Sequence, residues 1–275
     1  MAITHWVGGV STDIGAVANW DVQVPAGGDL VYFDTDGTFE PTAGVGGGVA
    51  LDTVVVTEGF TGSIGSAATG WAVDATHLYD RGGGGAHYFS GDYTTAIINN
   101  SSTDANGVHF EAGTIATLLL FKGKITLEDD SAATMIHCGY SGNQIGDVNL
   151  TIEPTVPITL IWQHGGTITS ASAWTTLYLV SGTFTHTDES PTNVYVFDGT
   201  FNYEATGETI TAVTMKGGRF DAAKQYRALT ITDLTMWPGS VVDLRNQSNT
   251  LVVTNPLVKY GGRLLVDEGI TIALA

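Results

Sequence analysis

A short motif recurs along the chain about every twenty residues, and it constrains the fold more than any other feature of the sequence. Each copy has an apolar run, a glycine, a polar residue and an apolar residue, as in LFKGKI at 120–125 and YLVSGTF at 178–184. This polar/apolar alternation is typical of a strand with one buried face. The anchor glycines, at spacings of 16 to 23 residues, are Gly123, Gly146, Gly166, Gly182, Gly199, Gly218, Gly239 and Gly262.

A strand-rich repeat of this length, with few helical patterns, predicts a solenoid. The leucine-rich-repeat signature is absent, and the variable spacing favours a parallel β-helix whose corners accept insertions. We therefore expect an all-β fold, a single-stranded right-handed parallel β-helix of about ten rungs of ~20 residues. Residues 1–50 are expected to form an N-terminal cap and lead-in strands, and residues 51–275 the β-helix. A β-sandwich, which also has short strands and frequent turns, is the alternative.

Two structural roles follow from this fold. The repeat glycines are expected at the rung corners, where the chain turns and can need a positive φ. Phe184, Phe201 and Phe220 are expected to stack inside as an aromatic ladder. Because an open solenoid end exposes unpaired backbone groups, it needs a cover. Trp6, Gly8, Gly9 and Trp20 are the candidate N-terminal cap, and a partner subunit is expected to cover the apolar C-terminal strand at 269–275.

The charge and the chain ends exclude several function classes. The chain has 28 acidic and 10 basic residues, a net charge of −18, which argues against nucleic-acid binding. The first 121 residues contain a single basic side chain, Arg81, so the two halves of the chain differ in net charge. Either a solubility requirement explains this difference, or the two ends of the protein bind different partners. With no earlier basic residue, a signal peptide is not expected, and no apolar run approaches the ~20 residues of a membrane span. The lone Cys138 excludes an intrachain disulfide.

The titratable residues form no recognisable reaction centre. Carboxylates cluster at Glu128–Asp130, Asp188–Glu189 and Asp267–Glu268. Paired acids can cleave glycosidic bonds. Acidic residues that follow a strand, however, typically lie at solvated corners. His137 and Cys138 are adjacent and therefore lie on opposite faces of a strand, so they do not form a pair of metal ligands. The segment Asp34–Gly37 matches only part of a calcium-binding loop. Phosphate-loop and nucleophile-elbow motifs are absent. The sequence therefore predicts no catalytic, metal-binding or cofactor-binding residues.

Four aromatic residues fall in successive repeats: Trp162, Trp174, Tyr178 and Tyr195. If they point outward, they can bind sugar rings or a partner protein. If they point inward, they belong to the core. Of the two interpretations, we favour the core.

The N-terminal segment carries the one family resemblance. Trp6-Val-Gly-Gly, then Asn19-Trp20, then PAGGDLVYF at 25–33 resembles the opening of large parallel β-helix proteins, which include bacterial autotransporter-like surface proteins and structural proteins of tailed phages. The short chain and the missing signal favour the phage branch. The resemblance then implies a non-enzymatic virion protein, made in the host cytoplasm and located on the capsid surface.

In that setting, the chain would serve as a capsid decoration, cement or head-spike subunit. The implied partners are copies of itself, with a homotrimer favoured, and the major capsid protein or another virion protein, without nucleic acid, membrane or cofactor. A polysaccharide-binding or polysaccharide-degrading β-helix protein (a depolymerase or lyase) is the alternative, and a cell-surface adhesin is a third.

Overall fold

The strands stack in parallel, turn upon turn, in a β-solenoid of about nine turns with essentially no helix. The computed structural model describes residues 1–9, 11–34, 41, 49–68, 70–101, 107–139, 148–153, 155–205, 207–223, 229–245 and 251–268. Every ladder between the strands in these ranges is parallel. The predicted parallel β-helix is confirmed, and the alternative β-sandwich, whose sheets are antiparallel, is wrong.

The strands form two columns, and the turns between Trp71 and Lys259 contribute to both of them. Column A contains β5 (His87–Ser90), β8 (Val148–Ile152), β10 (Thr167–Ser170), β12 (Thr183–His186), β14 (Thr200–Tyr203), β16 (Arg219–Asp221), β18 (Val241–Asp243) and β21 (Arg263–Leu265). Column B contains β1 (Ile3–His5), β2 (Leu30–Phe33), β3 (Val49–Val56), β4 (Trp71–Asp80), β6 (Tyr93–Asn99), β9 (Ile158–Gln163), β11 (Trp174–Leu179), β13 (Asn193–Val196), β15 (Thr209–Met215), β17 (Leu229–Met236), β19 (Leu251–Val253) and β20 (Val258–Lys259).

Two strands run through both columns: β4, whose Trp71 and Ala72 pair with β5 of column A, and the longer β7 (Val108–Cys138). The first part of β7 pairs with β5 and β6, and its second part with β8 and β9. The helical content near the N-terminus is the short 3-10 turn Val17–Asn19. β1 and β2, which lie in the predicted lead-in segment, already pair in parallel with the strands that follow.

The core is filled by side chains that stack on their counterparts one turn away. Phe184, Phe201 and Phe220 are fully buried and in register. Their ring centroids are 5.6 Å and 5.2 Å apart, with interplanar angles of 19° and 26°. The predicted aromatic ladder is confirmed. It exists because alternate residues of a strand point to the same face, and the parallel register repeats that face in every turn.

The predicted corner glycines lie where the chain turns from column B to column A. Gly199 shows why glycine is used there: its φ is +82°, and a Cβ would lie 2.4 Å from the carbonyl oxygen of Gly182 in the turn before. Gly146 lies outside the described residues. Positive φ values are found at Gly123, Gly166, Gly182, Gly199, Gly218, Gly239 and Gly262.

Two repeats are displaced from the positions that the motif predicts. In the first, the motif predicts Val148 at the position of Ile125, but Leu150 is in register with Ile125 and Val148 with Gly123.

In the second displaced repeat, the motif predicts that Val241, the apolar residue two positions after Gly239, points inward, but Val242 is the fully buried residue in register with the phenylalanine ladder. The cause is a β-turn over Pro238–Gly239, closed by the N–H of Ser240, which donates to the carbonyl of Trp237 at 3.3 Å. Ser240 therefore lies at the position that Gly218 and Gly262 occupy in the neighbouring turns of the solenoid. Gly239 lies one residue before that position.

The N-terminal residues expected to form a cap lie together. Trp6 and Trp20 are buried, joined by an antiparallel bridge, and their rings meet edge to face at 5.2 Å. Both rings also contact Phe33 of β2, with centroids 6.2 Å and 5.9 Å away. Gly8 has a φ of +51°, and Gly9 follows it in the segment between the two tryptophans. Their capping role stays a prediction, and residues 269–275 lie outside the described residues.

Candidate binding surface

A continuous column of large side chains points outward from column B. Its members occupy equivalent positions in successive turns, and each is partly exposed. Such a column forms because the residue between two inward-facing positions must point to the opposite face. The members are His5, Tyr32, Val55, Tyr79, Ile97, Leu119, His137, Trp162, Tyr178 and Tyr195.

Among the residues that the structure describes, no charged side chain lies in the middle of this surface. We define the aromatic patch as the outward-pointing residues of five neighbouring turns. In each turn it includes the residue of this side-chain column and the residues two positions before and after it. Phe197, at one end of the patch, is 43% exposed. The patch consists of Thr117, Leu119, Phe121, Met135, His137, Gly139, Leu160, Trp162, His164, Thr176, Tyr178, Val180, Asn193, Tyr195 and Phe197.

The aromatic rings of the patch stack along the solenoid axis. The centroids of Trp162 and Tyr178 are 4.3 Å apart at 27°, and those of Tyr178 and Tyr195 are 5.0 Å apart at 20°. These spacings follow from the ~4.8 Å separation of neighbouring strands. Each ring therefore covers the face of the next, and the ring edges point to the surface.

The four aromatic residues singled out from the sequence thus divide between two environments. Trp174 is 2% exposed, and its placement in the core is confirmed. The core interpretation is wrong for Trp162, Tyr178 and Tyr195, because the smaller residues next to them take the inward positions. Beside Tyr178, for example, Leu177 is the fully buried residue.

A shallow pocket of about 390 Å³ opens beside Trp162 at one end of the stack. Burial lowers the pKa of His137, with a further contribution from the charge of His164, and burial also lowers the pKa of His164. Both imidazoles are therefore neutral near pH 7, which keeps the pocket uncharged. Its lining consists of Leu119, Leu120, Phe121, His137, Trp162 and His164.

In the described part of the chain, no pocket lining contains a pair of the carboxylates considered for glycoside cleavage. Asp188 and Glu189 are both exposed at a corner. Two larger pockets, of about 480 and 530 Å³, each contain a single carboxylate residue in their lining, Glu189 and Glu58. Neither of them therefore presents the pair of acids that glycoside hydrolysis requires.

A buried Asp–His pair in the solenoid interior was not found from the sequence. His87 Nδ1 lies 2.5 Å from an Asp80 carboxylate oxygen, and both side chains are fully buried. His87 Nε2 lies 3.2 Å from the carbonyl oxygen of Gly62, and Asn100 Nδ2 donates to Asp80 at 2.9 Å. Since both imidazole nitrogens have partners and solvent is excluded, this pair holds neighbouring turns together. The alternation of inward and outward residues along β4 could have indicated this pair, because it places Asp80 at an inward position.

A comparison of the chain with models of protein families, with curated proteins and with solved structures found no match. None of the helical structure in the described ranges has the length and apolar character of a membrane-spanning helix. The chain is defined by its class, an all-β parallel solenoid, and by the uncharged aromatic patch along one side of it.

Proposed function

We propose that the protein is a non-enzymatic attachment protein that assembles with copies of itself through the aromatic patch. The uncharged character of the patch carries this proposal. Copies of a chain with a net charge of −18 repel one another, and the repulsion is least where neither surface is charged. Exposed apolar patches mark interaction sites, and interface cores are rich in aromatic residues and depleted in charge.

The direction of the patch favours a closed oligomer with its axis along the solenoid. Successive members of the patch lie one turn apart, so it extends parallel to the solenoid axis. Rotation about a parallel axis brings the same column of each copy together, which is the requirement for a cyclic homo-oligomer. We propose a homotrimer, in which three aromatic patches face a common centre.

The proposed setting is the virion of a tailed phage, where the oligomer would act as a capsid decoration or head-spike subunit. The resemblance of residues 6–33 to the opening of large parallel β-helix proteins, which include structural proteins of tailed phages, supports this setting. Its proposed partner is the major capsid protein or another virion protein. The expected genomic context is a capsid or portal gene beside the gene for this chain, and a neighbourhood of metabolic genes would contradict the proposal.

Polysaccharide binding is the second candidate, and the pocket beside Trp162 is the observation that favours it. Sugar rings bind through exposed aromatic faces together with polar groups that orient the hydroxyls. The stacked rings of Tyr178 and Tyr195 present edges instead of faces, and the pocket lining offers His137 and His164 as its polar side chains. Protein contact therefore fits the patch better than glycan contact.

Sedimentation velocity on matched variants tests the assembly. Tyr178→Glu places a charge in the centre of the patch, and Thr185→Glu places the same charge at a partly exposed position of column A. We expect trimers for the wild type and for Thr185→Glu, and monomers with an unchanged circular dichroism spectrum for Tyr178→Glu. A wild-type monomer at high concentration, or equal dissociation of both variants, would contradict the proposal.

The enzymatic alternative has its own test. A reducing-sugar or unsaturated-uronate assay on host polysaccharides should give no product with the wild-type protein. Product formation would replace the attachment proposal with a depolymerase or lyase. Retention of the wild type, but not of a Trp162→Ala variant, on an immobilised polysaccharide would instead identify the pocket as a glycan site.

A further inference from the structure

A cluster of one histidine and two glutamates lies on column A, remote in sequence from the aromatic rings. His109 and Glu111 are two residues apart on β7 and therefore point to the same face. Glu128 lies further along the same long strand, which has by then coiled into the next turn. One ligand atom from each of the three side chains lies within 4.8 Å of the others, and all three are partly buried.

The histidine ring is held in place from two directions. Its Nδ1 lies 3.1 Å from a carboxylate oxygen of Glu128, and the ring stacks on Tyr88 with centroids 4.6 Å apart at 21°. Tyr88 and His109 are in register on neighbouring turns, so the stack is a consequence of the solenoid. The imidazole is therefore oriented toward the carboxylates before any ligand binds, which lowers the entropic cost of binding.

The distance between the nitrogen and the oxygen is suited to a shared metal ion. Metal–ligand bonds of about 2.0–2.2 Å at angles between 90° and the tetrahedral value separate two ligand atoms by about 2.8–3.6 Å. The 3.1 Å between His109 Nδ1 and the Glu128 oxygen falls in this range. A cation between these two atoms would replace their hydrogen bond, with Glu111, two residues from His109 on β7, as a third ligand.

The electrostatics of the cluster also favour a cation. Glu111 and Glu128 each place a carboxylate oxygen within 4.8 Å of the other and of a His109 nitrogen, and like charges at such a distance repel one another. A divalent cation would relieve this repulsion.

We propose that His109, Glu111 and Glu128 bind a divalent transition-metal ion, with Zn²⁺ as the ion that the mixed imidazole and carboxylate donors fit. Imidazole suits zinc and other first-row metals, and the carboxylates complete three protein ligands, leaving a position for water. The bound ion would tie two successive turns of the solenoid together. A motif search along the sequence does not find such a site, because its ligands come from different turns.

Isothermal titration of the metal-free protein with ZnCl₂ tests the site. We expect one Zn²⁺ per chain, and binding weakened by ~10-fold or more in His109→Ala and in Glu128→Gln, since loss of a ligand costs at least as much as loss of an outer partner. Substitution with Co²⁺ should give visible d–d absorption bands that both variants lose. Circular dichroism spectra that match the wild type establish that the variants are folded.

His5→Ala is the matched control. His5 also contacts a carboxylate, Asp34, at 2.8 Å, and stacks on a tyrosine, Tyr32. Among the described residues, no third ligand joins that pair. We expect His5→Ala to bind Zn²⁺ like the wild type. Undetectable Zn²⁺ binding by the wild type, or binding that is unchanged in His109→Ala, would overturn the proposal.

Discussion

Replacement of a corner glycine measures how tightly the turns of the solenoid are stacked. In Gly199→Ala, the new Cβ would lie 2.4 Å from the carbonyl oxygen of Gly182. That oxygen accepts the N–H of Thr200 at 2.9 Å, so the clash falls on a hydrogen bond between turns. The residue must also keep a φ of +82°, which an L-residue adopts at a cost of about 1–2 kcal/mol.

Gly207→Ala separates these two effects. Gly207 has a similar φ of +77°, but a Cβ there meets nothing within 4 Å. It should therefore cost only the dihedral penalty of about 1–2 kcal/mol. Overpacking adds about 1–3 kcal/mol at Gly199, for a total of about 2–5 kcal/mol.

Urea unfolding followed by far-UV circular dichroism gives both free-energy changes. We expect Gly199→Ala to lower the unfolding midpoint well beyond Gly207→Ala, with similar slopes for the two variants. Equal destabilisation would refute the reasoning, because it would mean that the turns can separate to accommodate a methyl group at no cost.

Three other outcomes follow from the core and the charged groups. Phe201→Ala should lower the free energy of unfolding by about 3–5 kcal/mol, measured by urea titration, because it removes the middle ring of the ladder. Hydrogen bonds from Arg245 lower the pKa of Asp243. The stabilising contribution of Asp243 is therefore complete above pH ~3.8 and is lost as pH falls through the lowered pKa, and Asp243→Asn should reduce the pH dependence of stability measured by acid titration. The lowered pKa values of His137 and His164 keep the patch neutral at pH 7, and sedimentation should show weaker assembly as pH falls through them.

The solenoid was predictable because its physical signal is local and repeated. Each turn carries a glycine where the backbone takes a positive φ, followed by alternation that fixes which residues face inward. Phe184 and Phe201 could be assigned to one ladder because their repeats have almost the same length. The same reasoning was wrong by one residue at Val241, where a Pro–Gly turn lengthens the repeat without changing its appearance.

The outward aromatic residues were not predictable by the same means. The runs around Trp162 and Tyr178 are apolar on both faces, so alternation does not identify the inward residue. The decision depends on register: Tyr178 pairs with Trp162 on one side and with Tyr195 on the other, and all three share the outer face. Likewise, Glu128 reaches His109 only after the chain has completed a turn.

Distance measurements between spin labels test most directly whether the aromatic patch is the surface at which copies meet. Cys138 is fully buried, and burial raises the pKa of its thiol to about 12, so single labels can be attached at Tyr195→Cys in the patch or at Thr185→Cys on column A. The account predicts strong dipolar coupling between copies for the label at position 195 and weaker coupling, at longer distance, for the label at position 185. Uncoupled labels at position 195, or a shorter distance at position 185, would contradict it.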